Sequence, residues 1–231
     1  MRTIAALFDC DGTLYSAQYG RGLMKFASER GHKGAVRAYY ASLLPLIVLR
    51  KFKLITDEQF HRPLTSRMPW MIKGMSTEEF RDLGDCLYRD YLLPTERTEV
   101  VEHLRDHQSK GHAVLLVSAQ LLPTLEILGD HYKADGVVGT NVELESGRYT
   151  GRIVPPVITG TDKDLYAREF FSRRKIEIDW EASYAYADSI TDTGLLGMVG
   201  HPVAVHPDAK LFALVQARNW EMIGQPRAGS K

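Results

Sequence analysis

Hydrophobic and polar positions follow different patterns in different parts of this chain. Ile4-Ala5-Ala6-Leu7-Phe8 is a continuous apolar run, the pattern of a strand buried on both faces of a parallel sheet. From Tyr15 to Leu93 the pattern changes to helical stretches rich in Arg, Met and aromatic residues, with no run of that buried kind. Gly22 to Arg30 and Ala35 to Lys51 carry apolar residues at helical spacing, and Pro45 is expected to kink or interrupt the second. Thr56-Asp57-Glu58-Gln59 reads as a helix start, and Ser76-Thr77-Glu78-Glu79 has the capping-box pattern. Pro63 and Pro69 punctuate the segment between them, and Pro94 marks its end.

Beyond Pro94 helices and strands alternate. A helix over Thr98 to Lys110, closed by Gly111, leads to a strand from His112 to Val117 that ends at Ser118. A helix to about Tyr132 and a short strand at Gly136 to Val138 follow. Val142 to Leu144 and Tyr149 to Ile153, around Ser146-Gly147, read as a β-hairpin. Helices at Thr161 to Arg173, Thr193 to Met198 and Asp208 to Ala217 alternate with strands at Ser183 to Ala187 and Pro202 to Val205. This alternation predicts an α/β fold, a Rossmann-like parallel sheet with helices on both faces. Residues 1–14 and 94–224 would form the core, residues 15–93 an inserted α-helical cap, and the Gly/Pro/Arg-rich residues 225–231 a disordered tail.

With 44% hydrophobic residues in 231, the chain has ample material for a buried core. Lys plus Arg and Asp plus Glu both number 29, and this zero net charge argues against bulk binding to nucleic acid. Cys10 and Cys86 show no metal-type spacing and fit a reducing, cytoplasmic setting. The first strand begins too early to leave room for a signal peptide, so a soluble protein is expected. Leu43 to Leu49 is too short to span a bilayer. Followed by Arg50-Lys51-Phe52-Lys53, that run can dock on a membrane surface, pack within the cap, or line a pocket for an apolar substrate.

The candidate chemistry starts where the first strand ends, at Asp9-Cys10-Asp11-Gly12-Thr13. Ligands of open α/β sheets collect at such carboxyl ends. If the backbone stays extended, Asp9 and Asp11 share a face, and two neighbouring acids can divide the work of nucleophile or metal ligand and acid/base. Taken alone, the same residues are equally a turn that happens to carry two acids. Three further pieces follow in order: Val117-Ser118, Thr161-Asp162-Lys163, and Asp188-Ser189-Ile190-Thr191-Asp192.

In this order the four pieces resemble the motifs of the haloacid dehalogenase superfamily, in its phosphoserine-phosphatase-like branch, over roughly residues 4 to 206. The resemblance implies a Mg²⁺-dependent phosphatase acting on a small organic phosphate monoester, with a helical cap between the first two motifs. Asp9 would be the nucleophile that forms an aspartyl-phosphate, and Asp11 the general acid and base. Asp9 and Asp188 would bind Mg²⁺ through their side chains and Asp11 through its backbone carbonyl. Ser118 and the amide of Ala119 would bind phosphate together with Lys163, and Asp192 would support the site from outside the ligand set. A phosphotransferase of the same fold is the near alternative, and a phosphate-ester-binding regulatory module without turnover the more distant one. Asp11 favours phosphoryl transfer over dehalogenation, because an alkyl halide leaves without a proton.

Departures from the branch bear on the substrate. Gln18 stands where phosphoserine phosphatases place a Glu for the substrate's amino group, which counts against phosphoserine. Ser118-Ala119-Gln120 replaces their Ser-Gly-Gly, and Ala187 and Thr191 replace a Gly and an Asn. Leu64-Thr65-Ser66-Arg67 resembles the cap stretch that holds a substrate carboxylate, making Arg67 a candidate anion binder alongside Gln18. With no acidic pair for an amine evident between residues 15 and 93, a neutral or anionic, partly apolar leaving group is expected. His103 and His107 have the i, i+4 spacing of zinc ligands but no accompanying Glu, and Gly194-Leu195-Leu196-Gly197 lacks the spacing and Lys of a P-loop. Oligomeric state is not legible.

Overall fold

Six parallel strands form the sheet at the centre of the molecule, and the computed structural model describes residues 2–227. β1 (Ala5–Phe8) leads into a helical segment of α1 (Tyr19–Glu29), α2 (Lys33–Lys51), α3 (Asp57–Arg67) and α4 (Thr77–Leu87). The chain returns through α5 (Thr98–Ser109), β2 (Ala113–Leu121), α6 (Leu122–Tyr132) and β3 (Gly136–Thr140). An antiparallel pair, β4 (Val142–Glu145) and β5 (Arg148–Ile153), stands apart from the main sheet. α7 (Lys163–Arg173), β6 (Tyr184–Ala187), α8 (Thr193–Gly197), β7 (His201–Val205), α9 (Ala209–Arg218) and β8 (Glu221–Ile223) complete the order.

Strand order is β3-β2-β1-β6-β7-β8. The chain therefore winds outward from β1 to β3, then crosses back to β6 on the other side of β1. That reversal opens a crevice at the carboxyl ends of β1 and β6. All four β1 residues are buried, and alternation sends them to different faces. Ala6 and Phe8 join the core under α1, α4, α5 and α6, while Ala5 and Leu7 join the core of α7, α8 and α9. The first core runs on without a break into Leu23, Phe26, Phe80 and Leu83, so the helical segment is packed onto one face of the sheet by shared apolar contacts.

The helix starts read from the sequence are present with both halves of each capping box. Gln59 N–H donates to Thr56 Oγ1 at 3.1 Å and Glu79 N–H to Ser76 Oγ at 3.1 Å, while each N3 side chain accepts from its N-cap amide. Two of the prolines lie inside helices without interrupting them. α2 runs through Pro45 and α3 through Pro63. Val36, Tyr39 and Leu43 bury the opposite face of α2, and Pro45 lies on the exposed side, where water can take up the carbonyl its ring leaves unpaired. The hairpin turn uses Ser146 (φ 50°) and Gly147 (φ 76°), the left-handed pair that matches strand twist.

Two boundaries move. β2 continues to Leu121 rather than ending at Ser118, but its pairing with β3 is irregular between Val117 and Leu121. The apolar run ends where the ladder is interrupted, which is why the sequence pattern stopped there. The tail expected to be disordered from Gln225 is ordered as far as Arg227, whose N–H donates to Pro207 O at 2.9 Å. Residues 228–231 lie outside the described residues.

Candidate active site

The crevice at the switch point holds a cavity of about 390 Å³. Asp9 enters it directly from β1, its own N–H held by Tyr186 O of β6 at 2.9 Å. The chain then turns instead of remaining extended: Thr13 and Leu14 N–H both point to Cys10 O, and Gly12 adopts φ +85°. A side chain at Gly12 would also place its Cβ 2.1 Å from Asp188 Oδ2, so both backbone and space demand glycine.

The turn separates the two acids that the alternation pattern put on one face. Asp9 accepts from Lys163 Nζ at 2.5 Å and from Thr13 Oγ1 at 2.9 Å. Asp11 Oδ1 accepts from Tyr19 N–H at 3.1 Å and from Gln120 Nε2 at 2.9 Å. Gln120 Nε2 also donates to Tyr15 Oη. Burial pushes Asp11 up from 3.8 to about 7, with the charge of Asp9 adding to it and the Tyr19 amide opposing it. Asp11 is therefore a carboxyl group that can carry a proton near neutral pH.

Lys163, at the start of α7, is buried between Asp9 and Asp192, with its Nζ 2.8 Å from Asp192 Oδ1. Burial draws an ammonium down, but Asp192 and Asp9 outweigh it and hold Lys163 above its ordinary value. Asp192 is itself pushed up to about 6, by burial first, with Lys163 opposing. Asp188, at the exit of β6, is raised by burial and by Asp9. Its Oδ2 lies 2.6 Å from Arg227 Nη1, and its carbonyl accepts from Arg227 Nη2 at 2.8 Å.

Ligand oxygens of Asp9, Asp188 and Asp192 lie within 4.8 Å of one another. Asp192 Oδ1 is buried, and its contact with Lys163 has the distance of an ion pair without the geometry of a hydrogen bond, so it keeps a lone pair to offer. Three carboxylates against one buried lysine, with oxygen as the sole donor type, suit a hard divalent cation. Asp192 lies in this cluster and also holds Lys163, the supporting contact that the resemblance implies.

Ser118 and Ala119 line the cavity beside Thr159, Gly160 and Thr161. From the helical segment come Gln18, Glu58, His61 and Thr65. Arg62, next to His61, ties α3 to the loop before α7 through Asp162 at 3.0 Å. Arg67 is elsewhere: it donates to Ser42 O at 2.8 Å, stacks over Trp70 and does not line the cavity. Glu58 brings a single acid to the cavity, its Oε1 3.1 Å from Arg62 Nη2. The His103 and His107 pair does not form a metal site. His107 Nε2 bonds Tyr186 Oη at 2.9 Å and its Nδ1 bonds His112 Nδ1 at 2.8 Å, on the sheet face under α5.

Gln120 and Arg227 contact the acids of the site directly, although the sequence gives neither a role. Gln120 was visible as a departure from Ser-Gly-Gly, and its replacement of a glycine was the signal. Arg227 carried no signal at all, because its neighbours have the composition of a tail.

Fold and site together define a Rossmann-like α/β protein with a carboxylate centre suited to a divalent cation. The chain belongs to the haloacid dehalogenase-like hydrolases, whose sequence profile matches residues 6–197. It is 29% identical over 229 residues to phosphoserine phosphatase SerB1 of Mycobacterium tuberculosis, covering 95% of this chain and 70% of that protein. It is 25% identical over 234 residues to histidinol-phosphatase of Neisseria meningitidis, covering 94% and 97%. Among solved structures, a protein of unknown function from Bordetella pertussis Tohama I superposes with a TM-score of 0.81 at 25% identity, over 97% of this chain and 99% of that one.

Proposed function

We propose that this protein is a Mg²⁺-dependent phosphomonoesterase that works through an aspartyl-phosphate on Asp9. One observation carries the reading: Asp9 is fixed by Lys163 and Thr13, while Asp11 is held apart by Tyr19 and Gln120 in an environment that raises it to about 7, so that it can carry a proton near neutrality. One carboxylate is thus prepared to attack and the other to give a proton. The phosphatase names of the relatives support the same reaction class.

Asp9 Oδ attacks phosphorus in line, the bond to the ester oxygen breaks, and Asp11 delivers its proton to the departing alkoxide. Asp11, now ionised, takes a proton from the water that cleaves the acyl-phosphate. Lys163 and the hydroxyl of Ser118 face the transferring group and offset its charge. Asp9, Asp188 and the Asp11 carbonyl would hold Mg²⁺, with Asp192 beside them. When bound, the ion supplies the positive charge that lets an anionic nucleophile approach an anionic phosphate.

Helices α1 to α4 act in this reading as a cap, contributing Gln18, Glu58, His61 and Thr65 around the leaving group. That relatives carry the names phosphoserine phosphatase and histidinol-phosphatase supports a small phosphate ester of metabolite size as the substrate. Among the described residues Glu58 is the one acid of this segment that lines the cavity, and it is paired with Arg62 at 3.1 Å, so a neutral or anionic leaving group fits this side of the site. Hydrolysis of nitrophenyl phosphate and a metabolite-phosphate panel, with Mg²⁺ and with chelator, tests the proposal. Activity that needs Mg²⁺ and disappears in Asp9→Asn is expected. No turnover on any panel member would overturn it.

A further inference from the structure

Helix α2 has an apolar stripe that the described residues leave about half exposed. Val36, Tyr39 and Leu43 point into the core, as a helix in this position requires. Beside them, turned outward, Tyr40, Leu44, Ile47 and Val48 are between 47% and 60% exposed, at spacings that place them on one stripe. Phe52 and Leu54, just beyond the helix, are 67% and 68% exposed. A helix apolar on all sides is ordinarily buried all round, and a stripe of this length left in water marks a contact surface. The stripe does not serve the candidate active site, because none of these residues lines its cavity.

The surrounding charge says what fits there. Lys33 and Arg37 lie at one end of the stripe, and Lys51 and Lys53 at the other, all exposed. Between Glu29 and Asp57 the chain has no carboxylate and six Lys or Arg residues, although the whole protein carries no net charge. A second copy packed on this face, in either direction, would bring cations against cations with no acid to offset them. An anionic bilayer surface offers both complements at once: acyl chains for the stripe, and phosphates for long basic side chains that reach up from its two ends. No described helix is long and apolar enough to cross a membrane, so the helix would lie in the interface.

We propose that α2 with the following Phe52 and Leu54 docks this protein on anionic phospholipid surfaces. Docking stands independently of the reaction, since it uses no residue of the acidic centre. Flotation of the full chain with phosphatidylcholine vesicles, with and without about one third phosphatidylglycerol, tests it. Co-flotation with the anionic vesicles, at least about tenfold stronger than with neutral ones and weakened by high salt, is expected. Leu44→Asp/Val48→Asp is expected to lower the partition at least about tenfold with unchanged circular dichroism, because exposed side chains are not packed. Lys51→Glu/Lys53→Glu leaves the stripe intact and is expected to erase the preference for anionic lipid. Equal flotation with both vesicle types overturns the proposal, as does absence of flotation. A dimer in sedimentation that Leu44→Asp/Val48→Asp dissolves would also overturn it, by showing a second copy on the face.

Discussion

Replacing Asp11 by Asn tests the division of labour between the two acids most directly. Asn keeps an oxygen at Oδ1, so it can still accept from Tyr19 N–H and Gln120 Nε2, and the turn is expected to survive. What it loses is the proton. With its carboxyl raised from 3.8 to about 7, Asp11 is protonated in about half of the molecules at pH 7. At 3.8 the fraction would be about one in 10³, so burial and the charge of Asp9 multiply the available acid roughly 10³-fold. General acid catalysis is worth about 10²–10⁴-fold, or about 2.7–5.4 kcal/mol of barrier. We expect kcat for an alkyl phosphate to fall by that factor in Asp11→Asn. For nitrophenyl phosphate, whose leaving group barely needs a proton, the fall should be under about tenfold. Steady-state kinetics on the two substrates side by side, at saturating Mg²⁺, supply the comparison. Equal losses on both would refute the assignment of Asp11 as the acid and leave Tyr19 and Gln120 as merely structural partners of that side chain.

Lys163→Met removes the buried cation between Asp9 and Asp192; breaking a buried pair of this kind costs about 3–5 kcal/mol, so the denaturant midpoint and turnover should both drop. A wild-type midpoint would show the pair to be energetically idle. Arg227→Ala removes a guanidinium that now occupies Asp188 Oδ2, so the Mg²⁺ concentration for half-maximal activity should fall severalfold. A rise instead would mean that Arg227 positions Asp188 for the ion. His107 is depressed from 6.5 to about 4, chiefly by burial, so between those values the unfolded chain binds more protons than the folded one. Its contribution is complete above pH 6.5 and is lost as pH falls through 4, costing at most about 3 kcal/mol; His107→Asn should flatten the melting temperature over that range.

Local pattern was enough for the parts of this protein that are local. β1 is a continuous apolar run because both its faces are covered, and Thr56 and Ser76 cap helices through contacts that span three residues. Asp9, Ser118, Lys163 and Asp188 line one cavity because each lies at or near the end of an element whose pattern is clear, and a parallel sheet delivers such ends to one edge. Pro45 does not interrupt α2 for the converse reason: a helix with one face packed tolerates the loss of a hydrogen bond on its exposed side, and packing is not local.

Only the tertiary structure decided the remainder. Alternation put Asp9 and Asp11 on one face, but the turn at Gly12 sends their side chains to different partners, Lys163 and Gln120, each more than a hundred residues away. Arg67 and Arg227 exchanged their expected positions relative to the cavity. The one folds back on Ser42 within its own helical layer, and the other is carried to Asp188 by β8, a strand of three residues too short to show a period. Glu58, on the first turn of α3, reaches the cavity because α3 is packed over the crevice, which no spacing in the sequence encodes. The exposed stripe of α2 is legible only once the buried stripe beside it is known, since apolar residues on every side give the sequence no face to prefer.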